Sequence, residues 1–189
     1  MTKLFMDALQ SGGDLTMKNQ QRGATTGQGL TLTSFTVTAG GATLNAGGAL
    51  SVATGTTTGN QVLTAVGHGS LGNLTVSAGN LTATSTGGGL SFGALRASGT
   101  IGLSAKLAFT TGANAGYSLI GTSLSANLVN ATAAAGNVQV GTLSASDPNT
   151  RVEATTGGLR INTISLLPRT SGAQLIAGLT GSRFVPTGY

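Results

Sequence analysis

The sequence contains no cysteine and no tryptophan, and its 189 residues include only nine Lys and Arg, four Asp and Glu, and a single histidine. Without cysteine there is no disulfide framework, no thiolate zinc site and no thiol nucleophile. No apolar run approaches the ~18 residues that a membrane-spanning helix needs. The N-terminal "MTKLFMDALQ" does not read as a signal peptide, because Asp7 interrupts any apolar segment. Charged residues make up 7% of the chain, against roughly 25% in ordinary soluble domains. The surface must therefore be built from hydroxyls, amides and backbone. The nine bases (Lys3, Lys18, Arg22, Arg96, Lys106, Arg151, Arg160, Arg169 and Arg183) are scattered and lack interleaved aromatics. A nucleic-acid partner is not expected from that pattern.

Sparse charge does not mean disorder. Disordered chains are poor in branched aliphatics and rich in charge or proline. This one has three prolines, 39% hydrophobic residues and a positive mean hydropathy. Its aliphatics also fall at fixed offsets. In "GNVQVGTLSASDPNTRVEATTGGLRINTISL" (136–166), Val138, Val140, Leu143 and Ala145 return after twenty-one residues as Leu159, Ile161, Ile164 and Leu166. The same phrase occurs as Leu30, Leu32, Phe35 and Val37, and as Leu90, Phe92, Leu95 and Ala97. Tyr117, Leu119, Leu124 and Ala126 read as a looser copy with two residues inserted. Between these phrases lie shorter alternations such as "ATLNAGG", "GNLTVSAGNLTATSTGG" and "TRVEATTGG".

Period-two alternation marks strands with one buried face. A unit of about twenty residues cannot bury that face alone, so the units must stack. If the chain coils, each strand pairs with its equivalent one turn earlier at about 4.8 Å, and the aliphatics form a continuous internal column. The two outward residues between paired alternations then mark a corner. The expected fold is an all-β parallel β-helix of roughly seven to eight coils, ~35 Å long. Residues 13–167 form the helix, 1–12 an N-terminal cap or leader, and 168–189 a C-terminal cap or tail. Helical spacing is confined to Leu4, Phe5, Ala8 and Leu9. "TGTTTGN" (54–60) and "TTGANAG" (110–116) are expected as bulging loops. Leu159 and Ile161 are expected inside, Thr31 and Ser144 outside.

Phrases such as "GGDLTMKN", "GGALSVATG", "GNLTVSAGNLTATSTGG" and "GGLRINTISL" resemble the repeats of filamentous-haemagglutinin-type adhesins, over roughly 13–167. These are Gram-negative exoproteins of two-partner secretion, and they include contact-dependent inhibition toxins. The resemblance implies a right-handed helix and a secreted or cell-surface shaft segment. It further implies an outer-membrane secretion partner, with host glycans or proteins bound by other parts of a longer protein. Neither the Asn-Pro-Asn-type secretion motifs nor a toxin-like C-terminal domain is present in the sequence.

Parallel β-helices also include polysaccharide lyases and hydrolases, which need paired carboxylates, often with calcium. The acids available are Asp7, Asp14, Asp147 and Glu153. Asp147, Arg151 and Glu153 share "SDPNTRVEA", which reads as an Asp-Pro-Asn turn followed by an exposed ion pair. His68 in "VGHGS" reads as a surface loop histidine, and Asp14 lacks the rest of a calcium-binding repeat. No catalytic, metal or cofactor residue is assigned.

Thr31/Thr33, Thr36/Thr38, Thr56/Thr58 and Thr82/Thr84 form Thr-x-Thr pairs of the kind an ice-binding solenoid would carry, but at irregular spacing. Asn73, Asn80 and Asn130 open glycosylation-type sequons and also suit turns before strands. "LLPRTSG" (166–172) resembles a sortase signal without its anchor. Open coil ends carry a tendency to end-to-end self-association.

Overall fold

Strands with aliphatics on one face and hydroxyls on the other are stable only when the apolar face meets another. The computed structural model of the protein describes residues 4–19, 29–166, 173–177 and 183–184. Seventeen strands run in chain order: β1 (Leu4–Ser11), β2 (Leu15–Asn19), β3 (Leu30–Val37), β4 (Ala42–Ala46), β5 (Leu50–Thr57), β6 (Gln61–Ala65), β7 (Gly69–Val76), β8 (Leu81–Ser85), β9 (Leu90–Ala97), β10 (Thr100–Ala105), β11 (Tyr117–Ala126), β12 (Leu128–Ala133), β13 (Asn137–Ala145), β14 (Arg151–Ala154), β15 (Leu159–Leu166), β16 (Gln174–Ala177) and β17 (Arg183–Phe184).

Odd and even strands separate. The longer strands β1 to β15 form one eight-stranded sheet in sequence order, and the shorter β2 to β16 form a second, closed at one end by β17. Every pair is parallel except β16 with β17. The molecule is a parallel β-helix of about seven turns.

Each long strand changes phase at its middle. In β3, Leu32 and Phe35 are both buried with Thr33 and Ser34 outward between them. The ladder to β5 passes from Leu32↔Val52 directly to Ser34↔Thr54, which is the behaviour of a bulge-like bend. The two-residue gap in the sequence phrase is this bend, so each coil presents three faces. Backbone hydrogen bonds continue around the outer corners too, as in Gly59 N–H to the Gly40 carbonyl (2.6 Å) and Gly67 N–H to the Gly48 carbonyl (2.9 Å).

The inward positions stack into columns. One runs Leu30, Leu50, Gly69, Leu90, Leu119, Val138 and Leu159. On the short sheet another runs Leu44, Leu63, Ala83, Leu103, Ala131, Val152 and Leu175. Most of these side chains are fully buried, and full burial of each Leu or Val among them stabilises by about 1.5–3 kcal/mol. Register holds although coil length varies, from 19 residues (Leu50 to Gly69) to 29 (Leu90 to Leu119).

Three inward positions are glycines, and volume explains them. A β-carbon on Gly55 would run into the Phe35 ring, one on Gly121 into the Phe92 ring, and one on Gly69 into Leu90. Each glycine lies next to its large neighbour in the same column. The bulky side chain fills the adjacent coil's vacancy, so the column keeps its density.

This compensation corrects two expectations. "TGTTTGN" is not an inserted loop: Thr54–Thr57 is the second arm of β5, with Gly55 inward beneath Phe35. The phrase near Tyr117 carries no two-residue insertion either. Leu119 aligns with Val138 and Gly121 with Val140, while Tyr117 sits across a bulge opposite Asn137. The segment 110–116 is the loop expected, within the 29-residue coil.

Leu4–Ser11 is a strand rather than a helical segment, and it pairs in register with β3. Met6 and Leu9 face in, while Phe5 is 67% exposed. The proposed boundary at residue 12 falls between β1 and β2. Leu159 and Ile161 are inward but only partly buried, because among the described residues β15 is the last rung of its sheet. Pro168 and Pro186, with most of the sortase-like phrase, lie outside the described residues.

Four polar side chains of the interior are tied to backbone. The Thr57 hydroxyl donates to the Gly59 carbonyl (2.6 Å) and the Ser85 hydroxyl to the Gly67 carbonyl (2.6 Å). Gln61 Nε2 donates to the Thr75 carbonyl (3.1 Å), and Thr150 Oγ1 accepts from Val129 N–H (3.3 Å).

Candidate functional surface

With the aliphatics inside, whatever this chain presents to a partner stands on its outward positions and corners. Corners must satisfy backbone N–H groups that no strand pairs, and side-chain acceptors from the previous coil do so. Asp14 Oδ1 accepts from Gly41 N–H (2.8 Å), Asn60 Oδ1 from Asn80 N–H (2.8 Å), and Asn80 Oδ1 from Thr100 N–H (2.7 Å). At the bend, Asn73 Oδ1 accepts from Ala94 N–H (2.9 Å). At the third corner, Asn137 Oδ1 accepts from Gly158 N–H (2.8 Å). Asn80 is thus the turn asparagine before a strand that its sequence context suggests, whereas Asn73 lies inside β7, at its bend. Asn130 instead faces outward from the middle of β12, between Gly102 and Arg151.

His68 belongs to this set of corner acceptors. Its Nδ1 accepts from Gly89 N–H (3.0 Å), and its ring is stacked on Phe109 with centroids 4.6 Å apart and planes at 16°. Phe109 is brought there by the long coil's loop, which closes on itself. Phe109 N–H donates to the Tyr117 carbonyl (2.8 Å) and Gly116 N–H to the Phe109 carbonyl (2.8 Å). The loop's turns use left-handed φ at Gly112 (80°) and Gly116 (84°), a conformation cheap only for glycine. His68 is exposed, as expected for a loop histidine, but its inter-coil role was not readable from "VGHGS".

The acidic side chains are engaged separately. Asp147 Oδ1 accepts from Asn149 N–H (2.7 Å) and Asn149 Nδ2 (2.9 Å), closing its own turn. Glu153 takes two hydrogen bonds from Arg151, at 2.7 and 3.1 Å. Among the described residues no three His, Asp or Glu side chains come together as a metal site requires.

The outward ranks are more regular than the Thr-x-Thr spacings suggest. On the second arm of the long sheet, Thr36, Thr56, Thr75, Arg96, Ser125, Ser144 and Ser165 stack in register. Beside them stand Ser34, Thr54, Asn73, Ala94, Ser123, Thr142 and Thr163. The short sheet carries its own ranks, including Thr43, Val62 and Thr82 beside Asn45, Thr64 and Thr84. The pairs seemed irregular because Thr36/Thr38 and Thr56/Thr58 lie on one face and Thr82/Thr84 on another. Thr31/Thr33 starts on the first arm of β3, so the four pairs are spread over all three faces.

These features define a β-solenoid whose surface is hydroxyl and amide, with one ion pair among the described residues. Compared with protein-family models, curated proteins and solved structures, the chain matches none.

Proposed function

We propose that this chain is a non-catalytic shaft segment of a bacterial surface or secreted adhesin, or of a contact-dependent inhibition exoprotein. The observation that supports the reading is continuity. The hydrogen-bonded ladder runs unbroken from β1 to β15, and the buried columns run through the same coils. Such a stack resists bending and holds whatever adjoins it about 30–35 Å further out. Its task is then mechanical, and receptor contact falls to other parts of a longer protein exported through an outer-membrane partner. The locus tests this. A long repeat-coding frame beside an outer-membrane transporter gene supports the proposal, and an isolated frame beside neither counts against it. The rival of a carbohydrate-active enzyme is tested by incubating the protein and its Asp147→Ala and Glu153→Ala variants with anionic polysaccharides. Turnover that is lost in either variant overturns the shaft reading.

The two in-register hydroxyl ranks favour a second reading, an ice-binding face. Parallel strands fix such ranks about 4.8 Å apart along the axis, and methyl and hydroxyl groups at fixed intervals can order water. Only Arg96, in the rank of Thr56 and Thr75, interrupts the two with a charge. Thermal hysteresis that falls in Thr56→Lys and Thr75→Lys would support this reading, and its absence in the intact protein removes it.

A further inference from the structure

We propose that copies of this chain join head to tail, β15 of one against β1 of the next. The joint stands apart from the shaft reading, and either can fail without the other. Among the described residues the long sheet ends at β1 on one side and β15 on the other, each paired along one edge only. A strand edge with unpaired N–H and C=O groups is a template for another strand. Both edges here also bring half-covered apolar side chains: Met6 and Leu9 at one end, Leu159, Ile161 and Ile164 at the other, with Ile164 37% exposed.

The occupant is a second copy because only matching strands fit. The partner of β15 must be parallel, change phase at its middle, and carry inward apolar groups at its first, third and sixth positions. β1 does so with Leu4, Met6 and Leu9, in the register by which it already meets β3. Laid on β15 in that register, Leu4 follows Leu159, Met6 follows Ile161 and Leu9 follows Ile164. The columns then continue from copy to copy.

Charge complements shape at this joint. Asp7 is the bend residue of β1 and Asn162 that of β15, each in the place its ladder skips. Arg160 Nε donates to Asn162 Oδ1 (3.1 Å), which holds the guanidinium beside the bend. One strand spacing on, about 4.8 Å, the second copy brings Asp7 to that same place. Arg160 also falls directly in line with the exposed Phe5, whose ring face attracts a guanidinium. A heterologous contact of this kind does not close on itself and extends into filaments.

The short sheet adds one requirement. β17 lies antiparallel on β16 through two residue pairs, Leu175↔Phe184 and Ile176↔Arg183. It occupies the place that β2 of a second copy takes in a continued solenoid. β2 makes five pairs with β4 inside one molecule, so a joining β2 displaces β17 by the longer ladder.

The test is analytical sedimentation of the protein at low salt, from about micromolar to about millimolar, with circular dichroism to confirm the fold, and it uses Asp7→Lys and Arg160→Asp. Both side chains are exposed, so both variants are expected to fold. Wild-type protein should gain mass with concentration in multiples of the monomer. Each variant alone places like charges at every junction and should weaken association roughly five- to tenfold. Mixing the two variants puts opposite charges at every junction and should restore it. A wild-type chain that stays monomeric throughout overturns the proposal. So does association indifferent to Asp7→Lys, or a mixture no better than either variant alone.

Discussion

Gly55→Ala offers a sharp test of how the columns are filled. Alanine in place of a strand glycine ordinarily stabilises by about 0.4–1 kcal/mol, because the unfolded chain loses freedom. Nothing in the backbone opposes it here, since the left-handed glycines are Gly40, Gly112, Gly116 and Gly136. The added β-carbon, however, would meet Cε1 and Cζ of Phe35 and stand 2.9 Å from Leu74 Cδ2. Phe35 is 2% exposed and Leu74 fully buried, so neither can swing into solvent. Overpacking costs about 1–3 kcal/mol, and with two buried ring atoms and Leu74 met at once the upper part of that range, about 2–3 kcal/mol, applies, which leaves a net loss of about 1–2.5 kcal/mol. Phe35→Leu empties part of the same space and alone costs about 1–2 kcal/mol. Combined, the two should cost less than their sum by at least about 1 kcal/mol, the coupling expected of residues in direct contact. Urea unfolding of the four proteins, followed by circular dichroism, reads the cycle directly. A Gly55→Ala protein as stable as wild type, or effects that simply add, would refute the argument that Phe35 fills the vacancy.

Two further outcomes follow from burial and from the corners. Leu95→Asp buries a carboxylate at a fully covered position and should abolish cooperative melting, whereas Thr75→Asp, on the exposed rank, should shift stability by no more than ~0.5 kcal/mol; equal melting temperatures would reverse the face assignment. Asn80→Ala removes the acceptor of Thr100 N–H and should cost about 1 kcal/mol in thermal unfolding, with Asn80→Asp retaining most of the stability.

The sequence made the columns legible wherever they are aliphatic. Leu30, Leu32, Phe35 and Val37 announce two arms and a bend because only inward positions demand apolar groups. It concealed Gly55, Gly69 and Gly121, since a glycine beneath a large neighbour looks like a glycine in a loop. The difference lies one coil away, 20 to 29 residues distant in the chain. Tyr117 misled for a related reason: its spacing to Val138 matched the repeat, while a bulge gave the inward place to Leu119. The corner bonds of His68 and Asn80 were hidden because an acceptor and its donor are separated by a full coil. The hydroxyl ranks are hidden in chain order for the same reason, since neighbours in a rank belong to successive coils.

That each strand pairs with one roughly a coil earlier also bears on how such a chain acquires its shape. Every new coil finds its partner already laid down, so the growing end serves as the mould for the next segment. The loop to be closed stays between 19 and 29 residues however long the rod becomes, and its entropic cost stays nearly constant with it. A polypeptide threaded through a narrow pore one end first could therefore fold as it emerges, each coil drawing the next outward.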